Sequence, residues 1–295
     1  MSAQRALVLG AAAQLGKACM GCVPEMVAAE GFSRATCDVT DDLALRRIMD
    51  EVDPDVVINA AAYTAVDAAE DDPESADAVN ADAPAMLGAL CDQRGLRLVH
   101  ISTDFVFDGR TPRPYASDAN PSPLGVYGAS KRRGEQAVLA SGASHAVLRT
   151  SWVYGPGGRN FVLTMLRLMR EQGYVRVVSD QIGSPTSARG LAEICWLLAL
   201  NGDAQGVFHW SDAGAISWYD FACGIHDEAL ALGLLSAPAA IEPIPTEAFP
   251  TKAQRPAYSV LDCGDTCSAL NVAQQPWRDA LRDMLRSQQK LEETV

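Results

Sequence analysis

Long hydrophobic runs are missing from this 295-residue sequence. None approaches the roughly 20 apolar residues that span a bilayer, so we expect no membrane segment. The opening MSAQRALVLG lacks the apolar core of a secretory signal, which predicts a cytoplasmic protein. Basic residues are also few, 24 against 37 acidic ones. The resulting net charge of −13 argues against a nucleic-acid partner, because surfaces that bind nucleic acids are usually basic.

Repeats and low-complexity tracts are absent too, and cysteine occurs in only two short pairs that could imitate half of a zinc site. The eight cysteines are scattered, several within apolar runs, where a free thiol packs as a small hydrophobic side chain. The pairs Cys19/Cys22 and Cys263/Cys267 have no neighbouring histidine that would complete a zinc site. We predict reduced thiols and no metal ligands. The sequence leaves a Mg²⁺ requirement and a homo-oligomer open.

Apolar runs alternate with helical patterns through the first 150 residues. The alternation predicts an α/β fold with a doubly wound parallel sheet of Rossmann type. Thr40 is expected to cap one helix, and Pro121 or Pro123 to open another that runs to about Ala140. Pro84 is expected to break or kink a third. The predicted strands are Ala6–Leu9, Met26–Ala29, Val56–Ile58, Leu96–Ile101 and Ala146–Leu148.

After Thr150 the alternation loosens. We predict a dinucleotide-binding domain over residues 1–150 and a smaller, irregular α/β substrate-binding domain over 151–295. The strongly apolar helix Ala188–Leu200 is expected to pack back on the first domain. Ligands of open α/β folds bind outside the carboxyl ends of the strands, so the second domain is expected to close over that edge.

The loop GAAAQLG (residues 10–16) directly follows the first predicted strand. Gly10 would permit the sharp turn, and Gly16 would allow close packing of helix on strand. The helix N-terminus would then point at a phosphate. Ala13 adds a methyl group where the backbone has to approach a pyrophosphate. Glycine-bounded turns without a ligand are common, so this loop needs further support.

A tyrosine and a lysine in VYGASK (residues 126–131) are four positions apart and share one face of a helix. A phenol is a poor acid–base group at neutral pH, since its pKa lies near 10. The Lys131 ammonium is expected to lower the pKa of Tyr127 toward the working range. Thr103 follows the strand Leu96–Ile101, where its hydroxyl could hydrogen-bond a carbonyl oxygen. The order of loop, hydroxyl and Tyr/Lys pair indicates a nucleotide-dependent enzyme.

With these motifs the sequence resembles the extended short-chain dehydrogenase/reductase family, in the dTDP-4-dehydrorhamnose reductase branch. The similarity covers almost the whole chain, and two of its segments, NAAAYTAVDAAE and DQIGSPT, are specific to that branch. Two residues depart from the family pattern: Ala13 replaces a glycine, and Phe105 replaces a tyrosine. The matching segments are GAAAQLG (10–16), DVTD (38–41), NAAAYTAVDAAE (59–70), ISTDFVFDG (101–109), VYGASKRRGE (126–135), RTSWVYGPGGRNF (149–161), DQIGSPT (180–186), SWYDFA (217–222) and RPAYSVLD (255–262).

The resemblance implies NAD(P)H-dependent reduction of a 4-keto group on a nucleotide-linked deoxysugar, most simply dTDP-4-dehydro-L-rhamnose. Tyr127 would donate the proton, Lys131 would tune its pKa and bind the nicotinamide ribose, and Thr103 would bind the substrate oxygen. Asp104 and Trp152 would contact the sugar nucleotide. The remaining cofactor residues would be Gly10, Ala13, Gln14, Leu15, Gly16, Asp38, Val39, Ala62, Tyr63 and Thr64.

Two choices stay open. Glu30, at the end of the second strand, would accept from both ribose hydroxyls of NADH, whereas Arg34 could meet the 2′-phosphate of NADPH. Two alternatives to a reductase remain: a catalytically silent dinucleotide-binding regulatory subunit, and a nucleotide-sugar epimerase or dehydratase. The intact Thr103/Tyr127/Lys131 set favours an enzyme. Phe105 stands where the dehydratases tend to carry an acidic residue.

Overall fold

The computed structural model describes residues 4–294. Residues 1–3 and 295, at the outer ends of the two predicted domains, lie outside the described residues. In chain order the strands are β1 (Gln4–Leu9), β2 (Val27–Phe32), β3 (Val56–Asn59), β4 (Arg97–Thr103), β5 (Ser144–Thr150), β6 (Val153–Tyr154), β7 (Tyr174–Val178), β8 (Ile182–Gly183), β9 (Thr186–Ser187), β10 (Gly206–Trp210), β11 (Ile216–Ser217) and β12 (Ala240–Ile244).

Helices separate most of these strands. They are α1 (Gln14–Gly21), α2 (Asp42–Val52), α3 (Val66–Ala69), α4 (Pro73–Asp77), α5 (Ala83–Arg94), α6 (Val126–Ala140), α7 (Phe161–Gln172), α8 (Ala188–Leu200), α9 (Trp218–Ala231), α10 (Gly264–Leu270) and α11 (Trp277–Thr294). In the part of the chain that the structure describes, no helix combines the length and apolar composition of a bilayer span.

Six strands form the central sheet in the order β10-β5-β4-β3-β1-β2, and every pairing in it is parallel. The predicted fold class is therefore confirmed. Alternate residues of β1 enter different cores: Ala6 and Val8 pack on one face of the sheet, and Leu7 and Leu9 on the other. Both faces are covered, which is why this strand appears in the sequence as an unbroken apolar run.

The sixth strand, β10, was not predicted. It pairs with β5, so the second half of the chain supplies one edge of the central sheet. Helix α8 packs beside α1 on the same face, and the Trp196 indole donates a hydrogen bond to the Cys19 carbonyl (3.0 Å). The division of the chain near residue 150 stays a prediction.

Two predicted helix starts were wrong. The cap of α2 is Asp41, whose carboxylate accepts from the Leu43 and Ala44 amides, while the Thr40 hydroxyl is bonded to Asp38. Helix α6 begins at Val126, after both prolines. The Asp38 carboxylate competes for the Thr40 hydroxyl that would otherwise cap α2. Between the two prolines, the Ser122 amide donates to the Val106 carbonyl (2.8 Å), so the chain there stays in a loop.

A π-helical turn, Ala78–Asp82, joins α4 to α5 just before Pro84. Proline has no amide hydrogen, so the carbonyl of Asn80 loses its helical partner there. Both ends of the Asn80 side chain leave the helix: the amide oxygen accepts from the Tyr63 amide, and the amide nitrogen donates to the Ser130 hydroxyl. The Asn80 side chain, in the π-helical turn before Pro84, thus connects the turn after β3 to helix α6.

Candidate active site

Most of the residues singled out in the sequence meet at the carboxyl edge of the sheet. A cleft of about 960 Å³ lies there, next to a cavity of about 390 Å³ that shares Ala12, Ala13 and Ala62 with it. The predicted residues along the cleft are Ala13, Gln14, Leu15, Ala62, Thr64, Thr103, Asp104, Tyr127, Lys131 and Trp152. Those along the smaller cavity are Gly10, Ala13, Asp38, Val39, Ala62 and Tyr63.

The glycine-bounded loop brings the backbone of β1 unusually close to that of β3 and α1. Gly10 has a φ of +77°, and a Cβ there would lie 2.7 Å from the Ala61 amide nitrogen. A Cβ on Gly16 would collide with the carbonyl of Gly10. Gly16 therefore packs beneath the loop and lines neither cavity. Only glycine fits these two positions, because the backbone of the loop approaches that of the turn after β3 and that of α1 there.

Ala13 stands between the two cavities and is exposed. It is the residue before α1, and its amide donates to the Gly10 carbonyl (2.9 Å). A dinucleotide that occupies both cavities has to pass its methyl group. The side chain at position 13 is thus placed to set how closely a pyrophosphate can approach.

We expect Ala13→Gly to bind the cofactor at least as tightly as the wild type, and Ala13→Val to bind it much more weakly. A branched side chain would enter the passage between the cavities. Glycine should also lower the free energy of unfolding by about 0.4–1 kcal/mol, because it adds entropy to the unfolded chain. Titration calorimetry with the dinucleotide gives the ranking. Equal affinity of the Val and Ala proteins would show that residue 13 does not face the pyrophosphate.

Gln14 has a structural role that its place in the loop did not reveal. Its amide nitrogen donates to the Val153 carbonyl (2.9 Å), and its amide oxygen accepts from Asn160 (2.8 Å). Asn160 in turn caps α7 by accepting from the Leu163 amide. The Gln14 side chain therefore fastens the cofactor loop to the second half of the chain, and its polar atoms have protein partners.

Thr103 is the last residue of β4, and its side chain lies among hydroxyl and carboxyl groups. It donates to the Asp104 carboxylate (3.0 Å) and accepts from the Phe105 amide (3.2 Å). Asp104 is 2% exposed. Burial raises the pKa of Asp104 to about 6, against the opposing hydrogen bonds from Ser259 and Thr103. This end of β4 presents a hydroxyl and a carboxyl group to the cleft.

Tyr127 lies in the first turn of α6, with its ring edge-on to that of Phe105 (centroids 5.6 Å apart). Burial raises the pKa of Tyr127 to about 12; a Thr103 hydrogen bond lowers it, and the Asp104 charge raises it further. The expected lowering by Lys131 was wrong, because its ammonium group is bonded to the Ile101 carbonyl and the loss of hydration around the phenolate dominates. The phenol therefore holds its proton at neutral pH.

Lys131 is 2% exposed and reaches back toward β4. Its ammonium group donates to the Ile101 carbonyl (2.6 Å). Burial lowers the pKa of Lys131 to about 8, and the charge of Glu135 opposes this shift. Glu135 is itself held in a buried ion pair with Arg149 (2.8 Å). Lys131 and Tyr127 thus line the same wall of the cleft one helical turn apart.

The two candidates for recognising the cofactor ribose are placed differently. Strand β2 continues to Phe32, so Glu30 lies inside the strand and does not line either cavity. Ser33 and Arg34 follow the strand and line the smaller cavity. The Arg34 side chain is 89% exposed, and its nearest acidic partner is Asp38 (3.5 Å). Asp38 also accepts from the Thr40 amide and hydroxyl, and these bonds lower its pKa.

Trp152 has an unusual backbone for a bulky residue, with a φ of +46°. Its indole stacks on Trp218 with the ring centroids 3.5 Å apart. Gly183 packs beneath it, since a Cβ there would lie 2.6 Å from the indole. Such backbone strain persists only where the surroundings hold it, and it is common at ligand sites. The aromatic pair forms one wall of the cleft.

Other cleft residues were missed in the sequence. They come from segments that matched the family but received no role: Arg255 and Ser259 from RPAYSVLD, Gln181 from DQIGSPT, and Trp218 from SWYDFA. Arg176 and Phe249 came from no singled-out segment. A closer look at the polar and aromatic residues within the matching segments could have found the first four.

Comparisons with known proteins give relatives that match nearly the whole chain. A Burkholderia thailandensis dTDP-4-dehydrorhamnose reductase is 38% identical, over 95% of this chain and 98% of its own. A Streptomyces antibioticus protein named "Probable dTDP-4,6-dihydroxy-2-methyloxan-3-one 4-ketoreductase" is 41% identical, over 95% and 94%. The Bacillus anthracis dTDP-4-dehydrorhamnose reductase, solved in complex with NADP, superimposes with a TM-score of 0.90 at 35% identity, covering 96% of this chain and 99% of that one.

The family model described as "RmlD substrate binding domain" matches residues 4–290. This match covers nearly the whole chain and includes both the cofactor loop and the Tyr/Lys helix. The chain belongs to the RmlD substrate binding domain family.

Proposed function

We propose that the chain reduces the 4-keto group of dTDP-4-dehydro-L-rhamnose with NADPH. The observation that carries the proposal is the convergence of Thr103, Tyr127 and Lys131 on one wall of the cleft, beside the loop at Gly10. The named relatives supply the substrate class, since all three are 4-keto sugar reductases by name.

The loop suits a dinucleotide. Gly10 and Gly16 let the loop pack closely on the turn after β3 and on α1, and the cleft and cavity on either side of Ala13 offer room for the two halves of the cofactor. When bound, the cofactor supplies a hydride to the ketone carbon. Asp38 and Val39 would lie near the adenine, and Ala62, Tyr63 and Thr64 along the path between the halves.

The chain's own residues handle the oxygen of the ketone. The Thr103 hydroxyl, which donates to Asp104 in this structure, turns its proton to that oxygen, and Tyr127 transfers its proton to it as negative charge develops. The raised pKa of Tyr127 keeps that proton in place before the reaction. The Lys131 ammonium stabilises the phenolate that is left, and Trp152 and Asp104 orient the sugar nucleotide. The protein thus supplies position and a proton.

We expect Arg34→Ala to weaken NADPH binding by about tenfold and to leave NADH binding unchanged. A charge-assisted hydrogen bond is worth roughly 1.5–3 kcal/mol, and the exposure of Arg34 favours the lower end. Fluorescence titration of both reduced cofactors measures the effect, with Glu30→Gln as the control variant. A wild type that binds NADH as tightly as NADPH would contradict this prediction.

The activity is tested by mixing the protein with NADPH and dTDP-4-dehydro-L-rhamnose and following the absorbance of the reduced nicotinamide. The ketone named for the Streptomyces relative serves as a comparison substrate. A silent regulatory subunit would bind NADPH and consume none with either ketone. An epimerase or dehydratase would convert a sugar nucleotide with NAD and no net oxidation of NADPH. Either result would overturn the proposal.

A cytoplasmic location and a homo-oligomer stay predictions.

A further inference from the structure

Helix α6, which carries Tyr127 and Lys131, begins without a capping side chain of its own. The residue before it is Gly125, and the first amides of a helix have no partner within the helix. The Val126 amide instead donates to the carboxylate of Glu70 (2.8 Å), a residue 56 positions earlier in the chain. A distant acidic side chain thus holds the start of this helix.

The glycine at position 125 leaves room for this contact. A Cβ there would lie 2.5 Å from the Glu70 carboxylate oxygen. The φ of Gly125 is −139°, which any residue can adopt, so backbone conformation does not require glycine here. The lack of a side chain at position 125 is explained by the space that the Glu70 carboxylate needs to reach the Val126 amide.

Glu70 directly follows α3, and this segment also packs against the phenol. Ala69 and Tyr127 belong to one apolar cluster, with Val66 and Val126 against it. The carboxylate of Glu70 therefore holds the backbone one residue before Tyr127, while its neighbour Ala69 contacts the same cluster. These two contacts act on the first turn of α6, in addition to the edge-on contact of the Tyr127 ring with Phe105.

A second carboxylate on the same segment has a different partner. Asp67 accepts from the Ala253 amide (3.0 Å) and from the Arg255 guanidinium (2.8 Å). Residues 249–257 form a strap along the cleft, to which Phe249, Thr251 and Arg255 contribute lining side chains. Asp67 thus holds the strap, and Glu70 holds the helix of the phenol.

We propose that Glu70 is a positioning residue for Tyr127: by binding the Val126 amide it fixes the first turn of α6 and so the place of the phenol. The inference rests on the proposed reductase function. It predicts that the amide oxygen of glutamine can replace the carboxylate, since only an acceptor is required. It also predicts that a Cβ at position 125, which would collide with the Glu70 carboxylate, misplaces the phenol as the loss of Glu70 does.

The experiment compares Glu70→Ala, Glu70→Gln and Gly125→Ala. We expect kcat to fall about tenfold in Glu70→Ala and Gly125→Ala, because small misplacements of reacting groups are costly. The KM for NADPH should stay unchanged, and Glu70→Gln should remain within about twofold of the wild type. Asp67→Asn is the matched control: it removes the charge and one of the two acceptor oxygens that hold Ala253 and Arg255, so the strap loosens and KM for the sugar nucleotide should rise while kcat is retained.

A spectroscopic measurement needs no substrate. In protein labelled with ¹³C-tyrosine, the ring signal of Tyr127 is assigned by its loss in Tyr127→Phe. We expect this signal to move in Glu70→Ala and Gly125→Ala, and to stay in place in Glu70→Gln and Asp67→Asn. An unmoved signal in Glu70→Ala, or equal losses of kcat in the Ala and Gln variants, would overturn the inference. A wild type that reduces neither ketone would overturn the proposed function alone, since the ring signal still decides the role of Glu70.

Discussion

Replacing Tyr127 with phenylalanine should lower turnover by roughly 10²–10⁴-fold, the usual contribution of general acid catalysis. The phenol is the group in the cleft that both carries a proton at neutral pH, with a pKa of about 12, and lies beside Thr103. Phenylalanine keeps the ring and its edge-on contact with Phe105, so folding and NADPH affinity should be nearly unchanged. Steady-state kinetics and cofactor titration on the purified variant measure both quantities.

The control for this variant is Tyr174→Phe. Tyr174 lies at the start of β7 with its hydroxyl on Glu242, away from the cleft, and should leave turnover unaltered. If Tyr127→Phe retained the turnover of the wild type, Tyr127 would have no part in the proton transfer. Another group would then have to protonate the oxygen.

Lys131→Met is expected to lower turnover by about 10²-fold or more and to weaken cofactor binding at the same time. Methionine fills a similar volume and removes the charge, so the helix face stays packed. The wild-type ammonium is needed to stabilise the phenolate, and its pKa is lowered to about 8 by burial. Turnover of the wild type should therefore fall as the pH rises through about 8, because deprotonation removes the positive charge.

The same variant gives the pH dependence a direct check. In Lys131→Met the decline near pH 8 should disappear, since the pKa of Tyr127, about 12, lies too high to produce it. A decline that persists in the methionine protein would assign the titration to a different group. Weaker NADPH binding with unchanged turnover would leave Lys131 only a role at the ribose.

Much of the fold could be predicted because its signals are local. The buried residues of β1, β3, β4 and β5 form short apolar runs, and both faces of the sheet are covered, so the runs are nearly continuous. The edge strand β10 lacks such a signal. It is half-buried at its start, and its partner β5 lies more than 50 residues earlier. Nothing near residue 206 predicts that pairing.

The candidate site, like the fold, has one part that could be predicted from the sequence and one part that could not. Spacing alone predicted that Tyr127 and Lys131 share a helix face, and strand order predicted that Thr103 lies at the same edge as the loop after Gly10. Burial reversed the expected pKa shift of Tyr127, because hydration of a phenol depends on every segment packed around it. The sequence alone could not reveal this packing.

By itself, then, the sequence determined the α/β class, the glycine-bounded loop after β1 and the order of the candidate reacting groups, since periodicity and glycine positions are properties of neighbouring residues. Only the tertiary structure decided the contacts that hold those groups in place. Gln14 meets Asn160, Glu70 meets Val126, and Arg34 rather than Glu30 reaches the cavity. The first two contacts join segments that are distant in the chain, and the third depends on where strand β2 ends. The packed core sets both.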